Sequence, residues 1–523
     1  WQAYQFDLSA FSGQTMQVVF SAASAGTAFF VDDVSLLTAG AAGFDEFRAL
    51  WADAYRPGVK TRMQIDELVE TAQAGNFNAL VVQVRRRGDT YYPSAIDPWA
   101  PDADPGFDAL AYLVERAHTA GIEVHAWATT LAIWGGEVPP TEPSHTFNVH
   151  GPGASGRDYW LMTSNTGEEQ ADSLYWLDPG HPDVVEYTVS VYAELASKYD
   201  LDGMHLDRVR YAWQEWGYNP TSVARFQAQT GRTDVPEPTD AQWLQWRRDQ
   251  VTALVRKIYL TVTAINPQLR VSAALSAAGG APFTDADWLD RTPYTHQLQD
   301  WRSWLEEGMV DLGLTMTYKD DQAYAVAFDN WIAWQKDHQY GRSVVVGTGL
   351  YLNSVEDSMS QWLRVRQPSP LGDHALGISG YSYGTPSSDG TPRRSFVNAA
   401  VTEVFTQTAH TPFLGWKDAP DLGHLAGSLI QVFPCPGMYV DGYPLTLSGP
   451  TNRQLLTDGN GWFGAVDLPP GRYQLSVDVL NPTMTIQVPV DIAAGAVTER
   501  PIYLPGCATH NTYLPLVLKQ AGP

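Results

Sequence analysis

The stretch Tyr199-Asp-Leu-Asp-Gly-Met-His-Leu-Asp-Arg-Val-Arg-Tyr211 decides the fold. It is a short apolar run, entered directly from a helical segment over residues 184–199 and closing on charged residues. Strand side chains alternate between two faces, so His205 and Asp207 share one face while Met204 and Leu206 share the other. A strand of this kind predicts one unit of a parallel α/β sheet, with its polar pair at the strand end, where such folds collect their chemistry.

Working outward, strand patterns recur over residues 48–55, 79–85, 123–129, 203–207, 270–276, 311–317, 343–351 and 377–383, with helical patterns between them. Eight such units in about 350 residues predict an α/β fold, a TIM (β/α)8 barrel over residues 46–407. Alternation predicts Gln83 and Arg85, His125 and Trp127, His205 and Asp207, Thr315 and Thr317, and Ser379, Tyr381 and Tyr383 facing inward. Val82, Val84, Met204, Leu206, Leu312, Leu314 and Met316 are then expected to meet the helices. Trp51, Asp53 and Tyr55 share a face at the end of the first strand. The connections over 135–176 and 210–240 are long for a compact domain and would lie on the catalytic face.

The chain has 523 residues and a formal charge of -25. That balance argues against nucleic acid as a partner, since phosphates require Lys and Arg surfaces. No apolar run reaches about 20 residues, so no membrane span is expected. Residues 1–40 read as strands that cannot close a sheet alone, and their ending, Phe29-Phe-Val-Asp-Asp-Val-Ser-Leu36, resembles the last strand of jelly-roll carbohydrate-binding modules. This implies a secreted or cell-surface bacterial modular protein whose start is missing. Residues 423–505 change to short strands punctuated by Asp458-Gly-Asn-Gly461 and Pro469-Pro-Gly-Arg-Tyr473. They resemble a carboxypeptidase-regulatory-like or Cna-B-like β-sandwich, followed by a tail over 506–523. Cys435 and Cys507 are the two cysteines, and spacing alone does not say whether they pair.

Four motifs then carry a family resemblance. Asn78-Ala-Leu-Val-Val-Gln-Val-Arg-Arg-Arg-Gly-Asp-Thr-Tyr-Tyr92, Ala117-His-Thr-Ala-Gly-Ile-Glu-Val-His-Ala-Trp127, Leu177-Asp-Pro-Gly-His-Pro182 and Asp202-Gly-Met-His-Leu-Asp207 appear in family order. Together they resemble the family 10-like glycosyl hydrolases, the TIM-barrel glycosidase domain of bacterial peptidoglycan-glycan hydrolases and their relatives. The resemblance implies hydrolysis of O-glycosidic bonds in a polysaccharide or glycoconjugate, without a cofactor or metal. The chain departs from the pattern at Arg208, where many members carry a second Asp.

Glycoside hydrolysis needs one group to protonate the leaving oxygen and another to attack the anomeric carbon or activate water. Asp207, by position and motif, is the leading candidate, with His205 and Asp53 as its catalytic partners. His205 titrates near neutrality in its ordinary state, which suits a proton shuttle. Gln83, Arg85, Asp89, His125, Trp127, Arg208, Arg210, Tyr318 and Tyr381 are expected to bind substrate, Trp127 as a platform for a sugar ring. Asp89 also reads as a loop cap in its Gly-Asp turn. Asp311 begins its strand at the opposite, stabilising end. The arginines would clamp the carboxylate of an acidic sugar. That opens an alternative, an exo-acting sialidase-like enzyme using Asp53 and His205. The residues also admit a metal-dependent deacetylase, with His125, His205 and Asp207 as ligands, and a non-catalytic carbohydrate-binding barrel.

Overall fold

The computed structural model describes residues 44–431, 440–480 and 483–504. Eight parallel strands close into a barrel: β1 (Phe47–Ala52), β2 (Ala79–Arg85), β3 (Glu123–Thr129), β4 (Gly203–Asp207), β5 (Arg270–Ser276), β6 (Leu312–Met316), β7 (Ser343–Gly349) and β8 (Gly377–Tyr381). They pair in chain order, and β8 closes on β1 through Gly377↔Phe47 and Ser379↔Ala49. Helices fill the connections where the sequence places them. Arg62–Ala74 is capped by Thr61, whose side chain accepts the Gln64 N–H, and it stops at Gly75 before Asn76 turns left-handed at φ 55°. Such caps satisfy the N–H groups that a helix start leaves without partners.

Barrel parity holds on most strands, fails on two, and is lost past the end of β8, where Tyr383 packs against Arg393 on the helix side and does not face inward. Phe47, Ala49, Trp51, Val81, Trp127, Ala274, Leu312, Leu314 and Val345 form one buried apolar cluster inside the barrel. Leu312 and Leu314 therefore point inward, and Thr315 and Thr317 outward, the reverse of the alternation expected for β6. The reason is Gln335, on helix Asp321–Asp337: its Oε1 accepts hydrogen bonds from Thr315 Oγ1 and Thr317 Oγ1, each at 3.1 Å. With those hydroxyls satisfied against the helix, leucines are free to fill the interior. On β2 the register against β3 shifts between Gln83 and Arg85. This bulge turns Arg85 out of the interior, the usual consequence of an extra residue in a strand.

Gly203 owes its place in the opening motif to His125. A Cβ on Gly203 would lie 1.9 Å from His125 Nδ1, so no larger residue fits while that ring stays in place. The barrel base is tied by charge. Arg270 pairs with Glu123 at 2.9 Å, and Asp311 with Lys417 at 3.1 Å. The short pair Phe44–Asp45 and Ala409–His410 joins the two ends of the barrel segment.

The C-terminal region packs two sheets around its own core, which includes Leu425, Leu447, Phe463, Leu475 and Val477. One sheet has Gly423–Gln431 beside Trp462–Leu468, and the other runs Arg453–Leu456, Pro444–Ser448, Gly471–Leu480, Thr483–Ile492. It meets the barrel through Lys257–Asp458 at 3.0 Å, Arg342–Asp467 at 2.5 Å and Arg225–Asp441 at 2.6 Å. The expected jelly-roll remnant, the tail and both cysteines lie outside the described residues. No described helix is long and apolar enough to cross a membrane.

Two buried histidines set an acid limit on this fold. His181 Nδ1 accepts the Asp183 N–H at 3.2 Å and caps helix Pro182–Lys198, and His424 Nδ1 accepts the Asp467 N–H at 3.2 Å. Burial pushes each ring down to about 4. The unfolded chain binds these protons first, so their contribution is complete above an unfolded value of about 6.5 and is lost as pH falls through about 4. Asp178, pushed up to about 6 by burial, works in the opposite direction, as do Asp249 and Asp467, while the buried His145 and His205, also lowered, add to the histidine contribution. The melting temperature should therefore drop between pH 6.5 and 4. His181→Asn with His424→Asn, which keeps an acceptor at each site but does not titrate, should flatten that slope. An unchanged slope in the double variant would contradict the assignment.

Candidate active site

The C-terminal ends of β1, β3, β4 and β8 bring the key groups together. Asp207 ends β4 half-buried at the mouth, and both of its oxygens are held. Trp127 Nε1–H donates to Oδ2 at 3.0 Å and the Arg208 N–H donates to Oδ1 at 2.8 Å. Arg208 makes the second bond from a left-handed backbone, φ 52°. A carboxylate fixed by one donor on each oxygen has a defined direction of approach.

Asp53 follows β1 and is buried. Its Oδ1 accepts the Tyr55 N–H at 3.0 Å, Ser382 Oγ–H donates to Oδ2 at 3.4 Å, and Arg56 stands 3.7 Å away. Gln83 fixes this turn, since its Oε1 accepts the Ala54 N–H at 3.0 Å while its Nε2–H donates to Thr129 Oγ1 at 3.1 Å. Tyr381 connects the two acids: burial raises its phenol, and Asp53 and Asp207 both raise it further through their charge. Its ring stacks on Tyr318 at 5.5 Å and 17°, and Tyr351 meets both edge-on at 6.2 and 5.9 Å. Trp51 lies beside Tyr381 at 6.0 Å and Trp127 at 5.2 Å. The result is a cluster of aromatic rings beside the two carboxylates, with the partly exposed Tyr318, Tyr351 and Tyr381 able to pack a sugar face and leave its glycosidic oxygen to acids.

Several expected contacts are corrected by burial. His205 is fully buried, its Nδ1 within 2.8 Å of Ser272 Oγ and its ring 4.6 Å from Trp51. Burial, with His125 nearby, holds its pKa well below the ordinary histidine value. A neutral ring under Trp51 supports the aromatic cluster; it is not placed to move a proton at the mouth, so the Asp53–His205 pairing loses its footing. His125 is inward but belongs to the base, where Nε2 faces Glu123 at 3.2 Å and the ring packs on Phe47 at 5.3 Å. Its Cα lies early in β3, far from the strand end, so His125, His205 and Asp207 occupy different levels of the barrel. Among the described residues, no three His, Cys, Asp or Glu side chains are grouped as a metal site.

Arg85 is committed to Asp97 at 2.7 Å, to Tyr187 at 2.8 Å and to the Thr129 carbonyl, all within the barrel wall. It has no free face for substrate. Asp89 is buried and holds Arg86 at 3.0 Å, which is the loop-cap role. Trp127 is buried as well, so it orients Asp207 and does not offer an open platform. Arg208, Arg210, Tyr318 and Tyr381 do lie at the mouth and keep partial exposure.

Other contributors escaped the sequence reading. Ser382 and Tyr351 lie inside the strand runs expected over 377–383 and 343–351, just past where the strands end at Tyr381 and Gly349, and strand position was the signal available for them. Asp178 of the Leu-Asp-Pro-Gly motif is buried. Its Oδ1 accepts the Gly180 N–H at 2.8 Å and the Tyr211 hydroxyl at 3.4 Å, and its Oδ2 the Asn219 N–H at 3.3 Å. It thereby ties together the two long loops that frame the mouth.

Comparison with known proteins fits this geometry. Residues 46–363 match the glycosyl hydrolase-like 10 family. The chain is 26% identical to glycosyl hydrolase YngK of Bacillus subtilis over 319 residues, 57% of this chain and 59% of the relative. It is 25% identical to glycosyl hydrolase DigH of Escherichia coli K12 over 301 residues, 54% of this chain and 63% of the relative. The chain thus spans about three-fifths of the length of these relatives. The solved PgaB (BpsB) glycoside hydrolase domain from Bordetella bronchiseptica superposes with a TM-score of 0.50 at 17% identity, covering 68% of this chain and 99% of that domain, a likeness of fold. With more than half of its length matched to one family, and with that family's motifs at the strand ends of a closed barrel, the chain belongs to the glycosyl hydrolase-like 10 family.

Proposed function

We propose that the protein is a glycoside hydrolase that cleaves O-glycosidic bonds, with Asp207 and Asp53 as its reacting carboxylates. The observation that carries this reading is the Asp207 carboxylate, half-open at the mouth and held at both oxygens by Trp127 and Arg208 above stacked tyrosines. In hydrolysis the bond between the anomeric carbon and the leaving oxygen breaks. The leaving oxygen takes a proton, and the water oxygen ends on carbon. Two carboxyl groups suffice for these transfers without a histidine. Asp53, whose charge reaches Tyr381 as that of Asp207 does, is the second group.

The test is Asp53→Asn in the full chain. The isosteric amide keeps the bond from the Tyr55 N–H and should leave the melting temperature close to wild type. Turnover of a cleaved glycan should fall by about 10²–10⁴-fold, the usual worth of a positioned acid–base group. An Asp53→Asn protein with wild-type kcat would remove Asp53 from the mechanism.

A further inference from the structure

The run Arg85-Arg86-Arg87 has three different fates. Arg85 is buried against Asp97, and Arg86 is paired with Asp89 at 3.0 Å and Asp102 at 3.3 Å. Arg87 has no carboxylate within 4 Å among the described residues; its guanidinium lies 5.1 Å from the Tyr55 ring. It is held in place against the loop after β3, since a Cβ on Gly135 would meet Arg87 Nη1 at 2.6 Å. From β4, Arg208 and Arg210 both lie over Trp176, at 5.5 and 5.4 Å, and neither forms an ion pair among the described residues. Tyr55 joins the two groups. It is 49% exposed, the Arg87 and Arg86 guanidiniums lie 5.1 and 5.6 Å from its ring, and the charges of Arg87, Arg86 and Arg208 lower a phenol that burial raises.

The chain has 58 acidic and 33 basic residues, so counter-ions for arginine are abundant. Yet Arg87, Arg208 and Arg210 have no ion pair among the described residues, and Arg208 directly follows Asp207. The facing acids are Asp207 and Asp172, whose charges act on Arg210, and Asp53, which is taken up by Arg56. Like charges crowded at a half-buried surface repel, and burial together with Arg208 pushes Arg210 down to about 10. An anion entering this side would relieve that repulsion. The planar guanidinium forks fit a carboxylate in a bidentate manner, and the exposed Tyr55 ring offers a face to the sugar that carries it.

We propose that Arg87, Arg208 and Arg210, with Tyr55, form an anion-recognising wall at the mouth, and that the sugar unit bound there carries a carboxylate. The proposal rests on the glycoside hydrolase reading for its chemistry but makes its own claim about binding. The chain's overall negative charge would repel a polyanion at long range, so recognition is local and should weaken as salt rises.

The experiment uses the full chain and three probes: a hyaluronan hexasaccharide of alternating glucuronate and N-acetylglucosamine, its carboxyl-reduced neutral form, and a sulfated carboxyl-reduced form. Calorimetric affinity is measured for wild type, Arg208→Gln and Arg87→Gln, and chain cleavage is followed in parallel. Wild type should bind the carboxylate probe at least about tenfold more tightly than the neutral one, and each variant should lose most of that difference. Equal affinity for charged and neutral probes, or a preference that survives in both variants, would overturn the wall. Tighter binding of the sulfated form would overturn the carboxylate assignment. Cleavage of neutral glycans without any anion preference would sink this proposal and leave the hydrolase reading standing. Arginine-dependent carboxylate binding with no cleavage of any glycan would do the reverse.

Discussion

Asp207→Asn should abolish turnover while leaving the barrel folded. The side chain keeps its shape, and its remaining oxygen can still accept from Trp127 Nε1–H, which donates to the native carboxylate at 3.0 Å. The new amide group then faces the Arg208 N–H, a donor against a donor, in place of the 2.8 Å bond. Asp207 is partly exposed, so water can reach what is lost, and the cost to stability should stay within about 1–2 kcal/mol. Catalysis has no such substitute. An amide neither donates a carboxyl proton nor attacks carbon, and kcat should fall by about 10³-fold or more, with KM changed much less. Circular dichroism and a thermal melt on the same preparation separate the two effects. A folded Asp207→Asn protein with more than a tenth of wild-type turnover would remove Asp207 from its role.

Asp311→Ala should produce the opposite pattern: large loss of stability, little change in chemistry. Asp311 immediately precedes β6 at the base of the barrel and is fully buried. Its Oδ2 accepts the Val271 N–H at 2.7 Å and pairs with Lys417 at 3.1 Å, and its Oδ1 accepts from Trp416 Nε1–H at 3.1 Å and the Tyr259 hydroxyl at 3.3 Å. Lys417 has no other carboxylate within 4 Å among the described residues, and its side chain is 2% exposed. Truncating one partner of a buried pair strands the other, at a cost of about 3–5 kcal/mol. Denaturant unfolding should show that loss, while kcat of the folded protein at low temperature stays near wild type. Adding Lys417→Met removes the stranded ammonium and should recover much of the loss. A single variant as stable as wild type, or a double variant no better than the single, would contradict this reading of the base.

The barrel was legible because each strand is a short apolar run and each helix is punctuated by a cap or a glycine. Strand-end placement was legible for the two acids: Asp207 is the last residue of β4, and Asp53 lies just beyond β1. The site was obscured where a partner elsewhere in the chain decides. Nothing near Thr315 announces Gln335, twenty residues on, which turns that face of β6 outward. The β2 bulge that sends Arg85 to Asp97 and Tyr187 leaves no mark in an alternating run, and one residue of slip reverses every face after it. His125 was placed on the correct face but at the wrong depth. It sits early in β3, two residues before Trp127, and that offset separates the Glu123 end of the barrel from the Asp207 end. His205 shows the limit of residue type as a guide, since burial under Trp51 removes the proton chemistry that its ordinary titration suggests.

The central claim, that this mouth hydrolyses glycosidic bonds, is tested most directly by incubating the full chain with a panel of acetylated polysaccharides and following chain length and free acetate together by size-exclusion chromatography and proton NMR. The account predicts that at least one polymer shortens, with new reducing-end anomeric signals growing in proportion and no acetate released. Acetate release at constant chain length, or tight binding of a polymer that never shortens, would contradict it.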